Sequence, residues 1–184
     1  MKKFIAILLA VLSVMVIFAS CGDGNSPEKE EVKDNSFFAG VTSTDLNGNE
    51  IDSSMFKGKK LTMVNIWGTF CGPCINEMPD LQKISEDYAD KDFQIFGMIC
   101  DIADEDDVET IDLAKEIVEM TGVKYPNIMP SETLSPFLNS LFTFPLTIFL
   151  DENGEQVASF EGSRSYDGWV AIIDSLLAPP VVEE

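Results

Sequence analysis

The stretch Leu61-Thr62-Met63-Val64-Asn65-Ile66-Trp67-Gly68-Thr69-Phe70-Cys71-Gly72-Pro73-Cys74 decides the fold. Its first seven residues form a nearly continuous apolar run rich in β-formers, bounded by Lys59-Lys60 and by Gly68. Such a run suits a central strand covered on both faces. From Cys74 to about Ala89, apolar residues then recur at helical spacing through Met78, Leu81, Ile84 and Tyr88. Two cysteines separated by two residues therefore stand just after a buried strand and at the opening of a helix, the most specific constellation in the chain.

That placement supplies reactivity. Residues three apart in a first helical turn lie close enough for the Cα separation a disulfide needs, so a bond can form and break without large backbone movement. Cys71 also sits where unpaired N–H groups and the helix dipole favour negative charge. Its pKa is expected below the free value of about 8.5. Between the cysteines, Pro73 lacks an N–H that a first-turn position would leave unpaired, and its fixed φ prepares the helix start. Two other uses of the pair stay open: a static disulfide, which would stabilise little across so short a loop, and half of a metal site. Zinc wants four Cys or His ligands, there is no histidine in the chain, and Cys100 is the one further candidate if Cys21 is modified. Cys100 itself, on an apolar stretch, reads as a buried structural thiol or as a third redox partner.

Outward from this centre, Val41 to Thr44 and Glu50 to Asp52 flank Leu46-Asn47-Gly48-Asn49. Asn-Gly is the strongest short hairpin signal, so a first β-hairpin is expected there. Phe93 to Cys100 reads as a second buried strand, Val108 to Met120 as an amphipathic helix and Thr133 to Phe142 as another helix. Leu146 to Leu150 and Gln156 to Phe160 form a hairpin around Asp151-Glu152-Asn153-Gly154, and Tyr166 to Leu177 a closing helix. The order is that of an α/β fold with a mixed sheet. The run Asp101 to Asp107 holds five acidic residues. It lacks the glycine and terminal glutamate spacing of an EF-hand loop, and reads as a solvated loop whose charge enters a helix N-terminus.

The N-terminus has a different character. Lys2 and Lys3 precede an apolar run from Phe4 to Ala19, the pattern of a signal peptide. Phe18-Ala19-Ser20-Cys21 resembles the lipobox of bacterial lipoproteins, with Phe18 where leucine is usual. That resemblance implies cleavage before Cys21 and lipidation of its thiol; an uncleaved membrane anchor is the other reading. Both put the domain outside the cytoplasm. The expected organisation is a signal peptide over 1–20, a flexible acidic tether over 21–36, a folded domain over 37–178 and a tail over 179–184. With 12 basic against 32 acidic residues the formal charge is −20, which repels nucleic acid. The lack of histidine excludes Ser-His-Asp and Cys-His catalysis.

Trp67-Gly68-Thr69-Phe70-Cys71-Gly72-Pro73-Cys74, followed by Asn76-Glu77-Met78-Pro79, resembles the thioredoxin superfamily and, within it, the extracytoplasmic TlpA/ResA-like reductases. The resemblance runs from about Phe37 to Leu177. It implies a thioredoxin-like fold, a central mixed β-sheet flanked by helices, and a redox-active Cys71–Cys74 disulfide with no cofactor and no metal. Asn65 stands where thioredoxins carry a buried Asp, and either tunes the site or is simply a satisfied buried polar group. Glu77 matches the branch's carboxylate. Its two readings are a proton acceptor for Cys74 and a first-turn glutamate that complements the dipole. Phe144-Pro145 matches the cis-proline loop that binds extended substrate. Trp67, Phe70, Gly72 and Pro73 are expected with them at the substrate-binding surface, and Pro79 is expected to kink its helix.

Phe70 replaces the usual Trp, Phe144 is bulkier than many residues before the cis-proline, and Leu146 stands where Thr is frequent; these departures bear on partner choice. The resemblance implies reduction of exported proteins' disulfides, in apocytochrome c, a methionine sulfoxide reductase or other secreted thiol proteins. Electrons would come from a membrane thiol transporter of the CcdA/DsbD type. An oxidase of the same fold and a non-enzymatic binding lipoprotein are the competing functions.

Overall fold

A computed structural model describes residues 34–179. The expected signal peptide and Cys21 lie outside the described residues, as do the last five residues of the tail. At the heart of the fold is β3 (Leu61–Trp67), every residue of which is buried. Two strands, β1 (Thr42–Thr44) and β2 (Glu50–Asp52), precede it as the expected antiparallel hairpin. After β3 come α1 (Gly72–Asp87), β4 (Phe93–Ile99), α2 (Val108–Thr121), β5 (Asn127–Ile128), α3 (Ser135–Leu138), β6 (Leu146–Leu150), β7 (Gln156–Glu161) and α4 (Tyr166–Leu177).

Five strands form the main sheet in the order β5-β4-β3-β6-β7. Parallel neighbours need a crossover, and α1 and α2 supply those from β3 to β4 and from β4 to β5. β6 runs antiparallel to β3, and β7 antiparallel to β6. The alternation of side chains along β3 divides the core. Leu61, Met63 and Trp67 join Cys74, Met78, Leu81 and Ile84 of α1 and Trp169 and Ile173 of α4. Val64 and Ile66 pack with Phe38, Val41, Ile51 and Phe56 from the N-terminal segment and with Leu134 and Leu138.

Three of the expected elements differ from the structure. α1 begins at Gly72, two residues before the expected Cys74, because the Cys71 sulfur accepts from Cys74 N at 3.3 Å and serves as the N-cap. α1 runs without a break through Pro79. α3 is one turn instead of the expected Thr133–Phe142. Past Leu138 the Ser140 hydroxyl donates to the Phe137 carbonyl at 2.7 Å, offering the backbone an alternative to further helix. β5 was not anticipated, since two residues after a proline give no alternation to read. Asp34, the first described residue, pairs with Lys57 at 2.7 Å and belongs to the same compact unit as the rest of the described chain.

Candidate functional site

Cys71 and Cys74 are joined in a disulfide across the first turn of α1, their Cα atoms 5.3 Å apart. Gly72 and Pro73, between them, are exposed. Cys71 retains 6% exposure whereas Cys74 has none. Cys71, at the helix N-terminus where negative charge is favoured, thus keeps a small solvent-exposed remnant, while Cys74 is fully enclosed in the core. Gly68 O accepts from Cys71 N at 3.0 Å. Two residues before Cys71, the Asp101 carboxylate ties down the loop, accepting from Thr69 N at 2.9 Å and Thr69 Oγ1 at 2.6 Å. The expected solvated acidic run therefore starts with a residue that is part of the site's scaffold. Its last member, Asp107, caps α2 by accepting from Thr110 N.

The Phe144–Pro145 peptide is cis. Ile66 pairs with Leu146, which puts Pro145 at the end of β3 that leads to the cysteines. The Phe70 and Phe144 rings meet edge to face with centroids 5.9 Å apart, so the residue before Cys71 touches the residue before the cis-proline. Phe70 is 66% exposed, an aromatic wall in solvent. Trp67 does not share that surface: it is wholly buried, and its Nε1 donates to Asn127 Oδ1 at 2.9 Å. Expected among the substrate-binding residues, it is a core residue beneath them.

Behind Cys74 lies Glu77, buried on the inner face of α1. Its Oε1 accepts from Asn65 Nδ2 at 2.9 Å, and its Oε2 accepts from the backbone N of Arg164 at 3.0 Å and from Trp169 Nε1 at 3.1 Å. Burial outweighs these donors and the Arg164 charge, holding the carboxyl above the usual glutamate range. An exposed cap would show neither the burial nor the three donors. Asn65 also donates to Thr147 Oγ1 at 3.1 Å, while its own Oδ1 has no partner among the described residues.

Sequence reasoning missed Trp169, Arg164, Thr147 and Asn127. Helical spacing marks Trp169 only as core, and the one available signal was that a buried indole N–H needs an acceptor. Cys100 is a free, half-buried thiol one residue past the end of β4, its backbone N donating to the Trp67 carbonyl at 2.9 Å. Burial first, and Asp101 second, push its pKa up to about 12, the signature of an inert thiol. Among the described residues no group of three or more His, Cys, Asp or Glu side chains is placed to hold a metal ion.

A two-cysteine redox disulfide at a helix N-terminus, beside a cis-proline on this sheet, defines a thiol-disulfide oxidoreductase of thioredoxin-like fold. The chain belongs to the Redoxin family, whose model matches residues 28–167. It is 28% identical over 169 residues to the thiol-disulfide oxidoreductase ResA of Bacillus thuringiensis, covering 90% of this chain and 92% of the relative. The thioredoxin-like protein YneN of Bacillus subtilis is 27% identical over 109 residues, 59% of this chain and 60% of that one. Among solved structures, a thioredoxin-family thiol:disulfide interchange protein from Chlorobium tepidum superposes with a TM-score of 0.62 at 21% identity, over 76% of this chain and 94% of that one. The thioredoxin domain of a thiol-disulfide oxidoreductase from Bacteroides vulgatus gives 0.59 at 24% identity, over 75% and 93%. At these identities the two structures speak for the fold.

Proposed function

We propose that the protein is a membrane-anchored, extracytoplasmic reductant of disulfides in exported proteins. The observation that carries this reading is the asymmetry of the disulfide, with Cys71 retaining slight exposure and Cys74 fully buried within the same helical turn as a buried carboxylate. In the reduced protein the Cys71 thiolate attacks one sulfur of a partner's disulfide. The partner's other sulfur leaves as a thiolate and takes a proton, and a mixed disulfide remains. Cys74 gives its proton to Glu77 and attacks Cys71 Sγ, so the Cys71–Cys74 bond forms as the bond to the partner breaks. Two electrons have passed to the partner, which ends as a dithiol. Phe70, Gly72, Pro73, Phe144 and Pro145 form the surface that receives the partner, and Asn65 tunes Glu77 through its amide.

The N-terminal sequence supports a lipid on Cys21 with residues 21–36 as tether; no helix among the described residues is long and apolar enough to cross a membrane. Apocytochrome c and methionine sulfoxide reductase are the partner classes proposed. A membrane thiol transporter of the CcdA/DsbD type would return the protein to its dithiol. The test is trapping. Cys74→Ser leaves Cys71 able to attack but removes resolution, so mixed disulfides with exported proteins should accumulate and disappear on adding dithiothreitol. An absence of adducts, together with no reduction of insulin by the wild type, would leave a binding lipoprotein. An equilibrium titration placing the couple at a strongly oxidising potential would instead reverse the direction.

A further inference from the structure

The loop from β7 to α4 joins two parts of the site that lie far apart in sequence. Gly162 N donates to the Pro145 carbonyl at 2.9 Å, which fastens the loop to the cis-proline. Two residues on, Arg164 N donates to Glu77 Oε2 at 3.0 Å. The Arg164 side chain turns back on the same loop, where Nη1 donates to the Gly162 carbonyl at 2.9 Å and to the Glu161 carbonyl at 3.3 Å. Its guanidinium carbon stands 4.9 Å from the centroids of both the Phe160 and the Trp169 rings. Trp169 Nε1 in turn donates to Glu77 Oε2 at 3.1 Å. One carboxylate oxygen is therefore held by the backbone of Arg164 and by the indole on which the same residue's side chain rests.

The other ionisable groups near Glu77 are neutral, engaged elsewhere or turned to solvent. β3 and β6 carry no charged residue. Cys74 and Asp80 share the Glu77 helix, and Asp80 accepts from Tyr166 N at 3.0 Å. Lys83, further along α1, lies over the Tyr166 ring at 4.1 Å. Burial first, and the Glu77 charge second, raise the Tyr125 hydroxyl far above its ordinary value, so it stays a neutral phenol. Glu161 and Asp167, on either side of Arg164, are exposed. The Arg164 charge is left to favour the ionised carboxyl against its burial. A planar guanidinium suits the task, being weakly hydrated and able to stack on aromatic faces.

We propose that Arg164 is a positioning residue for proton transfer at Cys74: its backbone fixes one oxygen of Glu77, and its guanidinium, pinned to the loop carbonyls and to the Trp169 ring, supplies the countercharge. This rests on the reading of Glu77 as acceptor of the Cys74 proton. Arg164 exchanges no proton itself. The Cys74 proton goes to Glu77, and the electrons follow the exchange described above.

Reduced protein mixed with dithiobis(nitrobenzoate), a small aromatic disulfide, isolates the step by stopped flow. Attack by Cys71 releases the first nitrothiobenzoate, at a rate that grows with reagent. Cys74 then gives its proton to Glu77 and attacks Cys71 Sγ, releasing the second at a rate independent of reagent. Both phases are followed from about pH 5 to about pH 9 in wild type, Arg164→Met, Arg164→Lys, Glu77→Gln and the double variant Arg164→Met/Glu77→Gln. Methionine keeps an apolar chain on the rings and the backbone N–H in place while removing the charge. In Arg164→Met the acid midpoint of the second phase should rise by about one pH unit, the low end of what a nearby opposite charge does to a carboxyl. The first phase should keep its wild-type midpoint. Arg164→Lys should fall back toward wild type, and in the Glu77→Gln background Arg164→Met should add nothing. An Arg164→Met second phase that overlies wild type while Glu77→Gln differs, or an Arg164→Lys shift as large as that of Arg164→Met, overturns the role of Arg164 and leaves Glu77 standing. A Glu77→Gln second phase with the wild-type midpoint removes Glu77 as acceptor, and this inference with it. If Arg164→Met folds poorly, nuclear magnetic resonance of the native protein decides. Arg164 guanidinium and Trp169 indole protons that titrate with one midpoint, lost in Glu77→Gln, support the coupling; a guanidinium signal that does not titrate with the indole overturns it.

Discussion

Gly97→Ala should be among the most destabilising single-methyl additions in the domain. An alanine Cβ at this position would overlap Asn127 Oδ1, lie 2.8 Å from Asn127 Cγ and stand 3.2 Å from Trp67 Nε1. The amide cannot step aside freely, because Trp67 Nε1 donates to it at 2.9 Å and it donates to the Tyr125 carbonyl at 3.0 Å. Overpacking of a close-fitted core costs about 1 to 3 kcal/mol. Displacing the amide leaves a buried indole N–H unpaired, for about 1 to 3 kcal/mol more. Against this, alanine restricts the unfolded chain and returns about 0.4 to 1 kcal/mol. The net expectation is a loss of about 3 kcal/mol, measured by urea unfolding of the oxidised protein with circular dichroism. Asn127→Ala removes the atom that is struck, so in the double variant the two losses should fall short of additivity by more than about 1 kcal/mol. A loss under about 1 kcal/mol in Gly97→Ala, or strict additivity in the cycle, would refute the packing argument.

Three further outcomes follow from the site. Glu77 binds its proton more tightly folded than unfolded, so its contribution to stability is complete below the unfolded pKa and lost as pH rises through the raised folded value; urea midpoints of the oxidised protein should decline across that window, and Glu77→Gln should flatten the decline, equal slopes in both proteins being the contrary result. Asp101→Ala removes the acceptor for Thr69 N and Oγ1; a loss of about 2 kcal/mol in thermal melts is expected for charge-assisted bonds at a half-buried position, and an unchanged melt would dismiss the clamp. Brief iodoacetamide treatment of the reduced protein near neutral pH should label Cys71 before Cys74, because exposure falls from Cys71 to Cys74; mass spectrometry showing Cys74 labelled first would reverse the assignment of nucleophile.

What could be read in the sequence was whatever is written in contiguous residues. The run Leu61 to Trp67 named its own strand to the residue, and the Leu146–Leu150 and Tyr166–Leu177 elements were equally plain, because long apolar periodicity survives any tertiary context. Family resemblance added the cis peptide before Pro145, which no local pattern carries. The partners of Glu77 were invisible for a different reason. Arg164 and Trp169 lie 87 and 92 residues away in sequence, and the hydrogen bonds exist only once α4 has packed on α1. Trp67 was misplaced because an aromatic near a reactive cysteine reads the same whether it faces solvent or core. β5 and the shortened α3 failed at the scale where side-chain competition for one or two backbone groups outweighs periodicity.

The burial of Cys74 directly beneath Cys71 also sets a clock. A sulfur that solvent cannot reach meets only the disulfide its own chain presents, so within the redox pair thiols, oxidants and competing proteins outside are confined to Cys71. Once a partner is captured, release becomes a first-order event inside the helix turn, governed by an effective molarity that no change in bulk concentration alters. The dwell time of each captured partner is then set by this chain and by the partner's own leaving sulfur, and it does not depend on how dilute or crowded the compartment is.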